Sequence, residues 1–268
     1  MKVLVDIASD IYLDSWISHT SEVADFVKRI LPENKNSEIL ILAGNVNSSL
    51  ATIKPFLQEL KKYYKYIFYV YGNHEMYLLD KDEDSYGNNS FQKINQLKSL
   101  VTSIDGCDFL DGFDAQQIVL PEYNNLTITG LSMWWNHDKK VYSYKTIKDL
   151  YHRYSNDYKF ISFGFMREAL FSYSKVFRNF YKKLINLPPS DIMVTHYSPL
   201  KLSEKASVFN FFDGEEELKR LNPKAWVCGH TFEKHNLKFD NTQIVTNPIG
   251  YGGFKKAPNS IQTIEIEK

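Results

Sequence analysis

The chain has 268 residues, and its 32 lysines and arginines balance 32 aspartates and glutamates, so the formal net charge is zero. Hydrophobic residues make up 43% and charged residues 24%, a balance that excludes intrinsic disorder as a general description. The zero net charge makes a long nucleic acid a less favourable ligand, because such binding normally needs a basic face. The length suits one large domain, and we expect a single domain over residues 1–268.

The two cysteines, Cys107 and Cys228, form no CxxC pair, which excludes a disulfide framework and a cysteine-based zinc site. The N-terminal sequence MKVLVDIASD is interrupted by Asp6 and is not typical of a signal peptide. Nowhere does the sequence approach the run of about 18 apolar residues that a membrane span requires. We therefore expect a cytoplasmic protein with no membrane partner.

Strands and helices alternate in the first third of the chain. Apolar runs predict strands, and helical periodicity predicts helices, in the order strand 2–8, helix 21–31, strand 38–43, helix 50–63 and strand 66–71. Ser21 is the predicted N-cap of the first helix. The alternation predicts parallel strands joined by right-handed crossovers, with a ligand site at the carboxyl ends of the strands.

The remaining elements are less regular. The sequence predicts a helix at 90–101, a hairpin at 117–120 and 126–131, a helix at 166–184, and strands at 191–195, 225–228, 243–246 and 261–266. The helix at 166–184 has a mainly aromatic seam at helical spacing. We interpret the aromatic-rich segment at about 134–187 as a helical insertion within the single domain.

Polar side chains follow five of the predicted strands. In chain order these strands run into Asp10 and Tyr12, Gly44 and Asn45, Gly72 to Glu75, His196, and Gly229 and His230. Each residue alone has a structural interpretation, such as a turn for Asn45. Together, carboxylate, amide and imidazole groups at one sheet edge are the ligands that a divalent metal requires. The joint pattern therefore predicts a metal site.

These segments resemble, in the same order, those of the calcineurin-like metallophosphoesterases. The family pattern D-x-H, G-D, G-N-H-E, a histidine after a strand, and G-H-x-H corresponds to SDIYL (9–13), LAGNV (42–46), YGNHE (71–75), VTHYSP (194–199) and GHTF (229–232). ITGLSMWW (128–135) is also similar, and TNPIGY (246–251) resembles the N-P-R-G-Y segment of one branch. The resemblance implies a four-layer α/β/β/α sandwich of two packed β-sheets with flanking helices.

Three positions depart from the family pattern. Tyr12 stands where the family has histidine, Asn45 where it has the metal-bridging aspartate, and Phe232 where it has the last histidine of G-H-x-H. The resemblance assigns these positions, together with Asp10, to the first metal. Phenylalanine cannot coordinate a metal, an amide carries no charge, and tyrosine coordinates only as a phenolate, with a free pKa of about 10. We expect the first metal site to be empty or very weak.

The second metal site keeps its ligands. The resemblance assigns Asn73, His196 and His230 to it, and Asn45 offers a carbonyl oxygen as a fourth ligand. His74 is then the candidate catalytic residue, as a general acid or as a donor to the leaving-group oxygen. We expect one divalent metal per chain, of the manganese, zinc or iron type.

The implied function is metal-dependent hydrolysis of a phosphoric ester, as a phosphomonoesterase or a phosphodiesterase, acting on a phosphate-ester small molecule or a nucleotide. The alternative is a catalytically inactive phosphoesterase fold that binds a phosphorylated ligand or a protein partner. The sequence identifies neither the substrate-binding residues nor a protein partner. An isosteric Asn45 is also what a deliberately inactivated variant would carry. A dinucleotide-binding fold is disfavoured, because no G-x-G-x-x-G follows the first strand.

Several further residues are weaker candidates. His235 is a possible replacement for the lost ligand at position 232, and His137 is a possible residue of a substrate cleft. Arg153, Arg167 and the lysines at 139–140 are possible phosphate contacts, although a solvated surface role is favoured for each. Asp6 alternates with apolar residues in the first strand and requires a buried partner.

Overall fold

A computed structural model describes residues 2–79, 85–111, 117–135, 144–164, 170–204, 206–207, 209–253 and 257–268. Its strands are β1 (Lys2–Ala8), β2 (Ile39–Ala43), β3 (Tyr66–Val70), β4 (Cys107–Phe109), β5 (Ile118–Leu120), β6 (Leu126–Leu131), β7 (Ile192–Thr195), β8 (Ala225–Cys228), β9 (His235–Phe239), β10 (Thr242–Thr246) and β11 (Gln262–Glu267). Its helices are α1 (Val23–Ile30), α2 (Leu50–Leu60), α3 (Ser90–Thr102), α4 (Tyr144–Tyr154), α5 (Asp157–Phe160), α6 (Leu170–Asn186) and α7 (Glu215–Leu221).

The strands form two mixed sheets. The first sheet has the order β11-β1-β2-β3-β4, in which β11 is antiparallel and the other strands are parallel. The second has the order β5-β6-β7-β8-β10-β9, in which the edge strands β5 and β9 are antiparallel to a parallel centre. Because β1 pairs with β11, both ends of the chain share one sheet.

One apolar core lies between the sheets. Val5, Ile41 and Phe68 of the first sheet share it with Val194 and Val227 of the second, and all five are buried. The outer faces of the sheets bury a second set of side chains against the helices. Burial on both faces explains why these strands are continuous apolar runs rather than alternating ones. The predicted α/β/β/α sandwich is confirmed.

The predicted strands agree with the observed ones to within a residue at each end, and the hairpin of β5 and β6 is confirmed. The N-cap prediction at Ser21 is wrong. Residues Thr20–Glu22 form a 3-10 turn, α1 begins at Val23, and Glu22 occupies the N-cap position. For the helix predicted at 166–184, residues 165–169 lie outside the described part of the chain, and α6 covers the rest.

The sequence analysis missed several short elements. β4 has only three residues, and β9 is a largely exposed edge strand, so neither presents a clear apolar run. α4 and α5 lie inside the predicted insertion at about 134–187, whose limits stay a prediction. Within the described ranges, none of the helices combines the length and apolar character needed to cross a bilayer.

Candidate metal centre

The predicted site residues meet at the carboxyl ends of β1, β2, β3, β7 and β8. Backbone hydrogen bonds join their loops: Asp10 N–H donates to Gly44 O at 2.9 Å, and Gly229 N–H donates to His196 O at 2.9 Å. Four site residues have left-handed backbones, with φ of 48° at Asp10 and Tyr12, 57° at Asn45 and 54° at His230. Such backbones in residues other than glycine cluster at functional sites.

Three atoms converge where the second metal was predicted. His196 Nε2 lies 3.3 Å from Asn73 Oδ1 and 3.3 Å from His230 Nδ1. Two ligand atoms bound to one zinc ion at tetrahedral angles lie about 3.3 Å apart. The two distances that join His196 to Asn73 and to His230 therefore match the spacing of a pair of ligands on one metal.

The hydrogen bonds of the two histidines indicate which ring nitrogens carry protons. His196 Nδ1 lies 2.7 Å from Ala43 O and donates to it, which leaves Nε2 with a lone pair. His230 hydrogen-bonds to the backbone of Phe209, which leaves its Nδ1 free to face His196. Burial lowers the pKa of His196 to about 4 and the pKa of His230 well below its ordinary value. Both rings are therefore neutral near pH 7, as metal ligands must be.

The Asn73 amide is held by residues that the sequence analysis did not single out. Its Nδ2 donates to Asp157 Oδ1 at 2.7 Å and to Tyr77 Oη at 3.2 Å, and Tyr77 itself donates to Asp157 Oδ1 at 2.8 Å. Asp157 Oδ1 accepts from both Tyr77 and Asn73, so Asp157 turns the amide nitrogen of Asn73 toward itself and the oxygen toward His196. Burial raises the pKa of Asp157, against the opposing effect of the hydrogen bonds from Asn73 and Tyr77. Asp157 lies 84 residues from Asn73 on α5, and no sequence pattern connects the two.

Asn45 faces both halves of the site. The His74 backbone N–H donates to Asn45 Oδ1 at 3.0 Å, which fixes the amide orientation, because that N–H can only donate. A Cβ on Gly72 would collide with both Asn45 Oδ1 and His196 Nε2, so glycine is what lets these two atoms come close to each other. The carbonyl oxygen of Asn45 keeps one lone pair for the predicted fourth-ligand role.

The first-metal position is occupied by the chain's own hydrogen bonds. Asn45 Nδ2 donates to Asp10 Oδ1 at 3.0 Å and to Tyr12 Oη at 3.2 Å. Tyr12 Oη donates to the same Asp10 oxygen at 3.2 Å. Asp10 Oδ2 is buried without a hydrogen-bond partner among the described residues. Burial raises the pKa of Asp10 to about 7, against the opposing effect of Asn45 and Tyr12, and raises the pKa of Tyr12 well above 10. Tyr12 in this hydrogen-bonded arrangement is therefore a neutral phenol near pH 7.

His74 lies between two tyrosine rings at the edge of the site. Its ring centroid is 4.8 Å from that of Tyr12 and 4.4 Å from that of Tyr77, and its Nδ1 lies 3.5 Å from Ser48 Oγ. Burial, together with the nearby His196 ring, lowers the pKa of His74 to about 3. A neutral His74 is suited to donate a hydrogen bond and carries no charge near pH 7.

Glu75 ties the loops after β2 and β3 together. Its buried carboxylate accepts hydrogen bonds from the backbone N–H groups of Asn45 at 3.0 Å, Val46 at 2.6 Å and Gly72 at 2.7 Å, and from Tyr69 Oη at 2.8 Å. Four donors compensate for the burial of this charge. Glu75 therefore supports the loops that present Asn45 and Asn73.

The weaker candidates lie elsewhere. Phe232 is 73% exposed at the rim of the site, and His235 lies on β9. Arg153 is exposed. Asp6 has the buried partners it required, since Tyr64 and Thr263 donate to it at 2.8 and 2.6 Å. His137, Arg167 and the lysines at 139–140 lie outside the described residues.

A comparison with family models supports the resemblance seen in the sequence. The model for calcineurin-like phosphoesterase matches residues 3–234, most of the chain. The chain belongs to the calcineurin-like phosphoesterase family. As a calcineurin-like phosphoesterase it is related in sequence to the uncharacterized protein L509 of Acanthamoeba polyphaga mimivirus, with 24% identity over 245 residues that cover 85% of this chain and 84% of that protein.

Solved structures share the calcineurin-like phosphoesterase fold. The phosphopantetheinyl hydrolase PptH from Mycobacterium tuberculosis has a TM-score of 0.73 at 15% identity, covering 98% of this chain and 96% of that chain. The protein TT1561 of Thermus thermophilus has a TM-score of 0.52 at 10% identity, covering 92% of this chain and 89% of that chain. At these identities the similarity shows the fold alone.

Proposed function

We propose that this calcineurin-like phosphoesterase is a hydrolase of phosphoric esters that works with one divalent metal at Asn73, His196 and His230. The supporting observation is the convergence of three lone pairs, on Asn73 Oδ1, His196 Nε2 and His230 Nδ1, with 3.3 Å between neighbours. Three acceptors facing one another without a proton repel each other, and a cation between them removes that repulsion. The convergence therefore favours a bound cation at this half of the site.

The donor set fits a borderline metal. Two imidazoles with amide oxygens suit zinc, manganese or iron, the metals predicted from the sequence. In the described ranges no three histidine, cysteine or carboxylate side chains come together as a metal site, so the amide oxygens of Asn73 and Asn45 have to complete the set. When bound, such a metal polarises a phosphoryl oxygen and lowers the pKa of water.

The chain's own residues have defined roles in this proposal. Asn45 supplies the fourth ligand oxygen, and Glu75 fixes the loop that carries Asn45. His74 donates a hydrogen bond to the leaving-group oxygen. The rings of Tyr12 and Tyr77 hold the His74 ring in place. The substrate is a phosphate-ester small molecule or a nucleotide. The two buried, unpaired cysteines, Cys107 and Cys228, favour the cytoplasm as the location.

A second candidate is an inactive phosphoesterase fold that binds a phosphorylated ligand or a protein partner. The hydrogen bonds among Asp10, Tyr12 and Asn45 favour it, because they occupy the first-metal position without a metal. The two candidates differ in what they require of Asn73, His196 and His230. These residues bind a catalytic metal in the hydrolase and do not in the inactive fold.

The test measures metal content and turnover on the same preparations. Protein loaded with manganese or zinc and then desalted is analysed for metal, and bis(4-nitrophenyl) phosphate is the substrate. We expect about one metal per chain, with both metal and turnover lost in His196→Ala. His74→Ala keeps the metal and loses turnover by about 10²–10⁴-fold. His19→Ala, at an exposed position, is the matched control. If the unaltered chain bound no metal and showed no turnover, the hydrolase proposal would be overturned in favour of the second candidate.

A further inference from the structure

A pocket of about 280 Å³ opens beside the candidate metal centre. One wall comes from the loop after β7, including Leu200, Leu202 and Phe211, and the other comes from the loop after β8, including His230 and Phe232. The walls are joined where Asn210 Nδ2 donates to His230 O at 3.2 Å. His230 belongs to both the pocket and the candidate metal centre, so the two are continuous.

The lining of the pocket is mainly apolar and contains several rings. Phe211, Phe232, His230 and His235 all contribute to it. Among the described residues that line it there is no lysine or arginine, and Glu233 contributes a carboxylate. A second phosphate or another anionic group is therefore disfavoured, whereas a flat uncharged group would find apolar and ring surfaces.

Phe232 lies on this lining with 73% of its surface exposed. Phe232 stands where the family pattern has a metal-binding histidine, so a large apolar ring lines the pocket at this position. His235 lines the same pocket, and its buried Nε2 has no hydrogen-bond partner within the described ranges. The pocket thus has an exposed ring and an unpaired polar atom, both of which a ligand would engage.

We propose that this pocket binds an aromatic group esterified to the phosphate, with the Phe232 ring packed against it. The proposal rests on the proposed function, since the phosphate would lie at the metal next to His230. It assigns specificity to the described lining residues of the loop after β7, such as Leu200, Leu202 and Phe211, and to the loop at 229–235. It also gives Phe232 a binding role in place of the coordinating role that the family position has.

Binding, measured by isothermal titration calorimetry on zinc-loaded protein, separates this proposal from catalysis. Two ligand pairs differ only by an aromatic group: phenylphosphonate against methylphosphonate, and AMP against ribose 5-phosphate. We expect the aromatic member of at least one pair to bind about ten-fold more tightly. Preference in the first pair alone identifies a plain aryl group, and preference in the second alone identifies a nucleobase.

Two variants test the pocket itself. Phe232→Ala removes an exposed side chain and should leave the fold intact, while Leu202→Trp fills the pocket. Both should reduce the aromatic preference at least five-fold and leave methylphosphonate binding unchanged. Leu237→Ala, at another exposed apolar side chain that does not line the pocket, should change neither. Equal binding of both members of both pairs, or a preference unaffected by both pocket variants, would overturn the proposal. Failure of zinc and every phosphonate to bind would instead overturn the proposed function.

Discussion

The two halves of the candidate centre lie at the same sheet edge and differ in how their polar atoms are satisfied. In the half formed by Asp10, Tyr12 and Asn45, donors and acceptors pair with one another at 3.0–3.2 Å. In the half formed by Asn73, His196 and His230, the acceptor His196 Nε2 lies 3.3 Å from each of the other two acceptors, and the donors are turned away. The first half pairs most of its polar atoms without a metal, although Asp10 Oδ2 has no hydrogen-bond partner among the described residues, and in the second half the proposed metal would satisfy the three acceptors.

The difference arises mainly from the chemistry of one residue. An aspartate at position 45 would present two acceptor oxygens, one to each half. Asn45 instead presents an oxygen to the His74 backbone and an N–H₂ group to Asp10 and Tyr12. The amide of Asn45 therefore places a hydrogen-bond donor on the side of Asp10 and Tyr12, where an aspartate would place an acceptor, and keeps an acceptor oxygen on the other side. The predictions below test that difference.

Restoring the carboxylate should have the largest effect. In Asn45→Asp, two buried carboxylates face each other where Asn45 Nδ2 now donates to Asp10 at 3.0 Å. With chelator present, we expect the free energy of unfolding to fall by about 3 kcal/mol at pH 8. The loss should be smaller at pH 6, because one proton shared between the carboxylates relieves the repulsion. Urea denaturation at both pH values measures this.

Asn36→Asp, at an exposed position, is the control and should change stability little. Titration of Asn45→Asp with manganese provides a second reading. We expect no second equivalent to bind, since Tyr12 and Phe232 still supply no ligand. A second bound metal would show that the first half of the site can still bind metal, and the two halves would then not differ in this respect.

Removing the support of Asn73 should have an intermediate effect. In Asp157→Ala the amide of Asn73 loses its strongest acceptor, which lies at 2.7 Å, and is free to rotate its oxygen away from His196. We expect the dissociation constant for zinc to rise about 10–100-fold, the usual effect of removing a group that orients a metal ligand. Competition with a chromophoric chelator measures the constant without any need for turnover.

Asp157→Asn separates orientation from charge. Its side-chain oxygen still accepts from Asn73 and Tyr77, so zinc affinity should stay close to that of the unaltered chain. Asp149→Asn, at an exposed position on the neighbouring helix α4, controls for a general effect of lost charge. If Asp157→Ala bound zinc as tightly as Asp157→Asn, the orientation of Asn73 would not depend on Asp157.

The sequence predicted the strands well, because buried strands are continuous apolar runs, and it predicted that the polar residues after five of them lie at one sheet edge, while their role as a metal site stays a prediction. The expectation that Tyr12, Asn45 and Phe232 leave the first metal position empty or weak also stays a prediction. The sequence could not predict which way an amide points. The orientation of Asn45 depends on the His74 backbone, and that of Asn73 depends on Asp157, 84 residues away. Such contacts arise only from the three-dimensional packing of the chain.

The smallest effect is expected at Asp191, which precedes β7 at the end opposite His196. Burial acts to raise the pKa of Asp191, but hydrogen bonds from Lys268, Thr127 and Lys224 outweigh it and hold that pKa well below its usual range. A depressed pKa stabilises the fold above the ordinary carboxyl pKa of about 4, and this contribution is lost as the pH falls further. Asp191→Asn should therefore reduce the free energy of unfolding by about 1–3 kcal/mol at pH 7 and by less near pH 3.

Zinc affinity should not change in Asp191→Asn, since the substitution touches none of the three converging acceptors. Asp25→Asn, whose carboxylate is 83% exposed beside Lys28, is the control and should leave both stability and affinity unchanged. Stability and metal binding are thus expected to separate along one strand, with ion pairs at one end of β7 and a metal ligand at the other. A change in zinc affinity in Asp191→Asn would mean that β7 couples its two ends, and stability and metal binding would then not be separable along this strand.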